Sequence, residues 1–197
     1  MSKVIFLNGC GSSGKSSVAK AIAHLSDELW LTFGIDTFIN FIPMGRQAEY
    51  LEFIPGKNER GPTMSVQRAR FAPALFAAMP ILAQILLAKG NNLIIDEVLF
   101  DAGSLQSYAQ NLANYKVYYI GIYCDLAIMQ EREILRGDRC IGLSNDQIDR
   151  VHRGKLGCYD LKVDTSYISP FDAARQILDF IDQNSDPKAF KQINNIL

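Results

Sequence analysis

The feature that most constrains the fold of this chain is a glycine-rich loop near its start. Residues 9–16 read GCGSSGKS and match the pattern G-x-x-x-x-G-K-[ST] at every fixed position. An apolar, β-branched run at Lys3–Leu7 precedes the loop, and Val18, Ile22 and Leu25 follow it at helical spacing. This order of strand, loop and helix favours a polyphosphate-binding loop at the start of an α/β fold over an ordinary glycine-rich turn.

The residue types in the loop suit a nucleoside triphosphate. Glycine lets successive backbone N–H groups turn toward phosphate oxygens, and the following helix N-terminus adds partial positive charge. Lys15 is expected to reach the β- and γ-phosphates, and the hydroxyl of Ser16 is expected to bind Mg²⁺. The predicted nucleotide-binding residues of the loop are Gly9, Cys10, Gly11, Ser12, Ser13, Gly14, Lys15, Ser16 and Ser17. The helix N-terminus also predicts a lowered pKa for the Cys10 thiol.

The rest of the chain alternates between strand-like and helix-like segments. Such alternation is typical of a parallel sheet with helices on both faces. The uncharged run 71–88 is near membrane-spanning length, but Pro73 and Pro80 favour a mostly buried helix that is kinked near Pro80. The predicted strands are Lys3–Leu7, Trp30–Ile35, Leu93–Ile95, Lys116–Tyr123 and Leu161–Val163, and the predicted helices are Ser16–Leu25, Pro73–Ala88, Leu126–Arg136 and Phe171–Ile181.

Composition narrows the class of protein. A chain of 197 residues with 48% hydrophobic and 21% charged residues favours one folded domain over residues 1–197. With 20 Lys plus Arg against 21 Asp plus Glu, a nucleic acid or membrane partner is not expected. The four cysteines form no CxxC pair, and the N-terminal apolar run is too short for a signal peptide, so reduced thiols and a cytoplasmic location are expected.

One segment lacks a regular pattern. Residues 44–63 combine glycines and prolines with mixed charges, which predicts an irregular excursion or lid. We expect residues 44–70 to bind the substrate that accepts a phosphoryl group from the nucleotide, called the acceptor below. The phenylalanines nearby are expected either to line an aromatic acceptor pocket or to belong to the core, with the core favoured; they are Phe38, Phe41, Phe53 and Phe71.

Acidic residues follow two of the predicted strands. Asp36 follows the second strand, and Asp96 and Glu97 follow the third. Ligands of open α/β sheets bind at the carboxyl ends of the strands, so all three acids are expected to face the phosphate loop. Asp96 suits a Mg²⁺ ligand, and Asp36 suits a base that takes the proton of an acceptor hydroxyl. The alternative for Asp96 is a helix cap or turn, and the alternative for Asp36 is the N-cap of the segment that begins at Thr37.

Three arginines recur at spacings of four and three residues. If the helix from Leu126 continues, Arg132, Arg136 and Arg139 lie along one face. Arginines on a lid over residues 132–155 would neutralise charge on a transferred phosphoryl group, and Arg132 would help to bind the nucleotide. The alternative is a solvated face paired with nearby acids. His152 follows in the same segment, either as part of an acceptor pocket or as an ordinary exposed histidine.

Several segments together resemble one family, the chloramphenicol phosphotransferase-like branch of the P-loop kinases. The similar stretches are LNGCGSSGKSS, WLTFGIDTFI, LIIDEVLF, YCDLAIMQEREILRGDR and HRGKLGCYDLKVDT, in the family's order from Leu7 to Thr165. The resemblance implies a three-layer P-loop kinase fold with a five-stranded parallel sheet, ATP and Mg²⁺, and transfer of the γ-phosphate to a hydroxyl of a small molecule. It places the base on Asp36 and the lid arginines on Arg136 and Arg139.

The identity of the acceptor stays open at this point. Residues 44–70 depart from the drug-phosphorylating members, so the acceptor is chloramphenicol or an endogenous alcohol, sugar or nucleotide derivative. A zeta-toxin-like kinase of nucleotide sugars, with a basic acceptor cleft, is the nearest rival. Also open are a nucleotide-binding switch with little turnover and, less favoured on charge, a nucleic-acid kinase. The residues available for a basic cleft are Arg46, Lys57, Arg60, Arg68 and Arg70.

Overall fold

A computed structural model describes residues 2–137 and 140–195. The strands are β1 (Lys3–Gly9), β2 (Trp30–Gly34), β3 (Leu51–Asn58), β4 (Gly61–Arg68), β5 (Asn92–Glu97), β6 (Lys116–Tyr123) and β7 (Leu161–Asp164). The helices are α1 (Lys15–Leu25), α2 (Ile35–Ile39), α3 (Ala72–Ala88), α4 (Ala102–Asn111), α5 (Leu126–Arg136), α6 (Leu143–Gln147), α7 (Pro170–Gln183) and α8 (Ala189–Asn195). Short 3-10 turns cover Gln47–Glu49 and Gly154–Gly157.

A five-stranded sheet in the order β2-β5-β1-β6-β7 forms the centre of the fold. All its neighbouring strands are parallel. Val4 and Phe6 of β1 pack into one core, and Ile5 and Leu7 pack into the core on the opposite face. Burial on both faces explains why this strand is an uninterrupted apolar run. The predicted α/β class and its five parallel strands are confirmed.

Helices cover both faces of the sheet. α1 and α7 supply the core that contains Ile5 and Leu7, and α3, α4 and α8 supply the core that contains Val4 and Phe6. α8, which buries Ala189, Phe190 and Ile193, was not predicted. The order of layers is therefore helix, sheet, helix, with β1 and its phosphate loop at the middle of the sheet.

Strand β2 lies at one edge of the sheet and is bonded only to β5. The prediction of a buried strand is wrong for its first half, because Leu31 is 46% exposed and only Phe33 and Gly34 are buried. The edge position matters for the site, since Asp36 follows this strand directly.

The prediction of an irregular excursion is wrong for much of residues 44–63. β3 and β4 form an antiparallel two-stranded sheet in which Pro55 lies opposite Met64 and Gly56 opposite Thr63. Each strand of a two-stranded sheet has one free edge, so proline can be accommodated without loss of pairing. Residues that usually interrupt a sheet are therefore part of this hairpin.

Helix α3 is apolar on nearly all sides but is buried on only one of them, so the prediction of a mostly buried helix is wrong for its outer side. Ile81 and Ile85 are about half exposed. The buried side contains Ala72, Phe76, Met79, Pro80, Ala83 and Leu87. Within the described ranges 2–137 and 140–195, no helix combines the length and the apolar character needed to cross a membrane.

Candidate functional site

The phosphate loop joins the end of β1 to the start of α1. The ammonium group of Lys15 is buried, and its Nζ donates a hydrogen bond to the carbonyl of Cys10, 2.8 Å away. The hydroxyls of Ser12 and Ser13 are buried, and no described residue forms a hydrogen bond with them. Unpartnered hydroxyls inside such a loop are uncommon and are satisfied when phosphate oxygens bind. The loop therefore fits a polyphosphate.

Two oxygen-bearing side chains meet beside the loop. Ser16 Oγ donates to Asp96 Oδ2 at 2.6 Å, and Lys15 Nζ lies 3.7 Å from Asp96 Oδ1. Asp96 is opposite Leu7 in the register of β1 and β5, which brings the end of β5 next to the loop. A hydroxyl and a carboxylate are ligands that Mg²⁺ accepts, so this pair fits that ion. Asp96 caps no helix, which excludes the helix-cap explanation for this residue.

A cavity of about 230 Å³ opens over the loop. Its lining includes Lys15, Ser16, Asp36, Asp96 and Arg136, so the structure brings together the described residues that were predicted to act in catalysis. Asp36 lies in the first turn of α2, whose N-cap is Gly34, so Asp36 is not the predicted alternative, an N-cap.

Gly34 sets the position of Asp36 relative to β5. A Cβ atom at Gly34 would lie 1.9 Å from the carbonyl oxygen of Asp96, too close for any other residue. The two strands are therefore in close contact where they enter the site. This contact keeps Asp36 and Asp96 in the same cavity.

A second cavity of about 410 Å³ continues from the first. Asp36 and Arg136 line both cavities. The walls of the second cavity are largely apolar and include Leu51, Phe53 and Val66 of the β3–β4 hairpin together with Phe100 of the segment after β5. Asp36 is thus an acid at the boundary between the two cavities.

The four phenylalanines considered as acceptor contacts separate into three environments. Phe53 is 45% exposed and lines the second cavity. Phe38 is buried in the core with Phe33, as expected. Phe41 and Phe71 are exposed and line none of the cavities named above, so neither of the two predicted positions describes them.

Arg132 lies against the outer side of the phosphate loop. Its Nη1 is 3.5 Å from the carbonyl oxygen of Ser12, and its Nη2 donates to the carbonyl of Thr165 at 3.0 Å. A further cavity of about 340 Å³ lies here, lined by Gly14, Arg132, Leu135, Thr165, Ile168 and Pro170 among others. Arg132 is therefore next to the loop from which a nucleotide would extend.

Helix α5 ends at the second of the three arginines. α5 ends at Arg136 because Gly137 adopts φ 65°, the left-handed conformation that terminates helices. Arg139 lies outside the described residues. Glu133 is one of the nearby acids that would pair with the arginines on a solvated face. It is instead buried and accepts hydrogen bonds from the backbone N–H groups of Gly142 and Ser144, at 3.0 and 2.6 Å.

The expectation that Glu97 faces the phosphate loop is wrong. Successive side chains of a strand point to opposite faces, so Glu97 points away from the side on which Asp96 meets the loop. Its carboxyl is buried, accepts a hydrogen bond from Tyr108 at 2.9 Å, and lines a cavity of about 300 Å³ between α3 and α4. Burial raises the pKa of Glu97 to about 8.

Two further expectations change in the same region. The pKa of Cys10 is raised to about 11, because desolvation of the buried thiol outweighs the nearby charge of Lys15; the expectation of a lowered pKa is wrong. His152 is partly buried, stacks on Tyr123 and lies 2.7 Å from the hydroxyl of Tyr159. Burial lowers its pKa to about 4. His152 is therefore neither an ordinary exposed histidine nor a lining residue of the second cavity.

One contact at the site was not anticipated from the sequence. The side chain of Gln147, at the end of α6, accepts a hydrogen bond through Oε1 from the backbone N–H of Gly11 at 2.5 Å. Gln147 also lines the second cavity. It fell within the predicted lid, but no motif or periodicity distinguished it, since its partner is 136 residues away.

A family model described as chloramphenicol phosphotransferase-like protein matches residues 2–182. The chain belongs to the chloramphenicol phosphotransferase-like family. The match includes the phosphate loop, both aspartates of the cavity and Arg136. The chain is thus a small-molecule phosphotransferase of the kinase type, and the resemblance noted in the sequence is confirmed.

A relative of known sequence and two solved structures are similar to this chain. A protein of Mycobacterium tuberculosis strain H37Rv, provisionally named an O-phosphotransferase, is 26% identical over 200 residues, which cover 97% of this chain and 87% of that protein. An APS kinase of the same species, solved with AMPPNP and APS, superposes with a TM-score of 0.62 at 15% identity and covers 92% of this chain and 98% of that chain. Shikimate kinase of Acinetobacter baumannii gives a TM-score of 0.61 at 15% identity, with 94% and 96% covered. The fold is that of the P-loop kinases.

Proposed function

We propose that this chloramphenicol phosphotransferase-like protein transfers the γ-phosphate of ATP to a hydroxyl of an uncharged small molecule. The observation that carries the proposal is the cavity shared by Lys15, Ser16, Asp36, Asp96 and Arg136. A phosphate-binding lysine, a pair of oxygen ligands, an acid and an arginine are the groups that phosphoryl transfer requires. Residues 9–17 would hold the triphosphate.

The proposed step begins at the acceptor. The carboxylate of Asp36 takes the proton of the acceptor hydroxyl as its oxygen forms a bond to the γ-phosphorus, and the bond from that phosphorus to the β–γ bridging oxygen breaks. ADP leaves with that oxygen, and the phosphorylated alcohol remains. Asp36 suits this task because it lines both the cavity over the loop and the apolar cavity beside it.

Cations from two elements would neutralise the phosphates. Lys15 would turn from the Cys10 carbonyl to the β- and γ-phosphates, and Arg136 would bind the transferred group from the end of α5. Ser16 and Asp96 would hold Mg²⁺, which shields phosphate charge when bound. Arg139, outside the described residues, is retained as a second lid arginine.

The nucleoside is proposed to extend past Arg132. The cavity there begins at the loop residues Ser12 and Gly14 and is bounded by Leu135 and Ile168. Apolar side chains and a guanidinium plane are suitable partners for a nucleobase. We propose one domain over residues 1–197, in which residues 44–70 bind the acceptor and residues 132–155 form the lid.

The charges around the acceptor cavity favour an uncharged acceptor. Arg46 pairs with Glu49, Arg60 pairs with Asp149, and Arg68 lies 3.6 Å from Asp101. These are three of the five cations named for binding a nucleotide sugar, and each of the three has a carboxylate partner. None of the five, which include Lys57 and Arg70, lines the second cavity. An anionic acceptor would have to displace those partners, whereas an apolar alcohol matches the walls formed by Phe53 and Phe100.

The test is acceptor-stimulated release of ADP from Mg·ATP by the purified protein. The acceptors are chloramphenicol, uncharged aromatic and aliphatic alcohols, and a UDP-sugar, with Lys15→Ala as the inactive control. Stimulation by an uncharged alcohol that is lost in Lys15→Ala supports the proposal. Stimulation by the UDP-sugar alone would overturn the acceptor class, and ATP binding without stimulation by any acceptor would overturn the assignment of turnover to these acceptors.

A further inference from the structure

The contact between Gln147 and the phosphate loop defines how the Gln147 amide is oriented. The backbone N–H of Gly11 is a donor, so the side-chain atom 2.5 Å from it must be the oxygen Oε1. The amide nitrogen Nε2 then points elsewhere, and no described residue accepts a hydrogen bond from it. The side chain is only 5% exposed and lines the cavity shared with Asp36 and Arg136. As far as the described residues go, Nε2 therefore keeps its donor capacity for a ligand in that cavity.

The short helix that carries Gln147 is held on two sides. The carboxylate of Glu133 on α5 accepts from the first N–H groups of α6, those of Gly142 and Ser144. The β3–β4 hairpin binds the same helix, because Met64 N donates to Gly142 O at 3.0 Å and Asn145 Nδ2 donates to Pro62 O at 2.8 Å. α6 therefore connects the element that carries Arg136 to the wall of the acceptor cavity.

We propose that Gln147 is a bridging residue of the transfer site, a role that rests on the proposed function. Its Oε1 holds the Gly11 amide in place with and without nucleotide. Its Nε2 donates a hydrogen bond to an oxygen at the junction of the γ-phosphate and the acceptor. A neutral carboxamide suits this position, because it adds a donor there and no negative charge against the phosphate.

The substitution Gln147→Glu tests the donor role of the side chain separately from its acceptor role. A glutamate oxygen still accepts from Gly11 N–H, but the donor is replaced by a negative charge that faces the γ-phosphate. We expect the Kd of AMPPNP, measured by calorimetry with Mg²⁺, to rise by roughly tenfold or more, while the Kd of ADP, which lacks that phosphate, stays within about threefold. Gln176→Glu, on the exposed side of α7, adds the same charge and should change neither Kd.

The substitution Gln147→Leu removes both hydrogen bonds. We expect the ¹⁵N–¹H resonance of Gly11 in the nucleotide-free protein to move upfield and its amide to exchange faster, because the short hydrogen bond is lost. Gln147→Glu should leave that resonance near its wild-type position. The affinity for AMPPNP should fall roughly tenfold or more in the leucine variant, the usual effect of losing one hydrogen bond to a charged group. Gln147→Asn, shorter by one methylene, provides a second variant if the leucine variant unfolds.

Two results would overturn the inference. One is an equal loss of ADP and AMPPNP affinity in Gln147→Glu, which would place the side chain away from the γ-phosphate. The other is a Gly11 resonance whose position does not change in Gln147→Leu. Loss of the hydrogen bond between Gln147 and Gly11 when AMPPNP binds to the wild type would overturn the inference equally. These measurements need no acceptor. If these results are as expected but the protein phosphorylates no acceptor, the proposed function is contradicted, whereas the bridging role of Gln147 is not.

Discussion

The hydroxyl of Ser16 lies 2.6 Å from Oδ2 of Asp96, although the two residues are 80 positions apart in the sequence. The contact follows from the sheet, because β1 and β5 are parallel neighbours and both end at the same edge. The helix that starts after β1 presents Ser16, and the end of β5 presents Asp96. This pair is the proposed position of the divalent cation.

Replacing Asp96 with Asn should weaken the response to Mg²⁺. The amide still accepts the hydrogen bond from Ser16, but the charge that attracts the cation is gone. We expect the Mg²⁺ concentration for half-maximal turnover to rise by roughly tenfold, as measured by titrating Mg²⁺ at fixed ATP. Asp179→Asn, on the exposed side of α7, is the matched control. Equal Mg²⁺ curves for wild type and Asp96→Asn would exclude Asp96 as a ligand.

Replacing Asp36 with Asn should slow transfer while leaving nucleotide binding intact. An amide cannot accept the acceptor's proton, so kcat should fall by about 10²–10⁴-fold, the usual contribution of a general base. The Kd of AMPPNP should stay within about threefold, because the phosphate loop is unchanged. Asp27→Asn, exposed in the segment between α1 and β2, serves as the control. Nearly full turnover by Asp36→Asn would contradict general-base catalysis there.

Replacing Glu133 with Ala should loosen the start of α6. The buried carboxylate accepts two backbone N–H groups, and charged hydrogen bonds of this kind each contribute about 1.5–3 kcal/mol. We expect a lower Tm in thermal unfolding and faster hydrogen exchange at Gly142 and Ser144 than in wild type. Glu131→Ala, an exposed neighbour on α5, should leave both unchanged. Unaltered exchange at those two amides would mean that Glu133 does not hold α6.

The thiols should differ in reactivity in an order set by burial. Cys158 is exposed, whereas Cys10 is buried and its pKa of about 11 keeps it protonated at pH 8. Since the thiolate is the nucleophile, iodoacetamide at pH 8 should label Cys158 early and Cys10 last, as followed by peptide mass spectrometry. Cys158→Ser should remove the early label without affecting Cys10. Early labelling of Cys10 in the folded protein would contradict the raised pKa.

Local patterns were sufficient for the central parallel sheet. The strand, loop and helix around residues 9–16 and the apolar strands on both sides of it predicted the parallel sheet, because burial on two faces leaves a continuous apolar run. They were not sufficient where the backbone conformation depends on tertiary contacts. Pro55 and Gly56 signalled irregular backbone, but pairing with β4 holds them in a strand.

Sequence reasoning located those residues of the site that a local sequence pattern marks. Asp36 and Asp96 were found because they follow strands directly, and the structure places both in the cavity over the loop. Glu97 was misplaced because adjacency in sequence was taken to mean a shared face, whereas strand residues alternate. Gln147 had no local signal, since its contact with Gly11 depends on how α6 packs against the rest of the fold.

The β3–β4 hairpin lies outside the central sheet, yet it supplies Leu51, Phe53 and Val66 to the wall of the proposed acceptor cavity. The residues proposed to bind nucleotide or move the proton all lie elsewhere. Under the proposed function, the preference for an acceptor and the chemistry of transfer therefore lie on separate stretches of the polypeptide. Substitutions of side chains on this hairpin would then change which alcohol is phosphorylated, while the residues that bind the nucleotide stay the same.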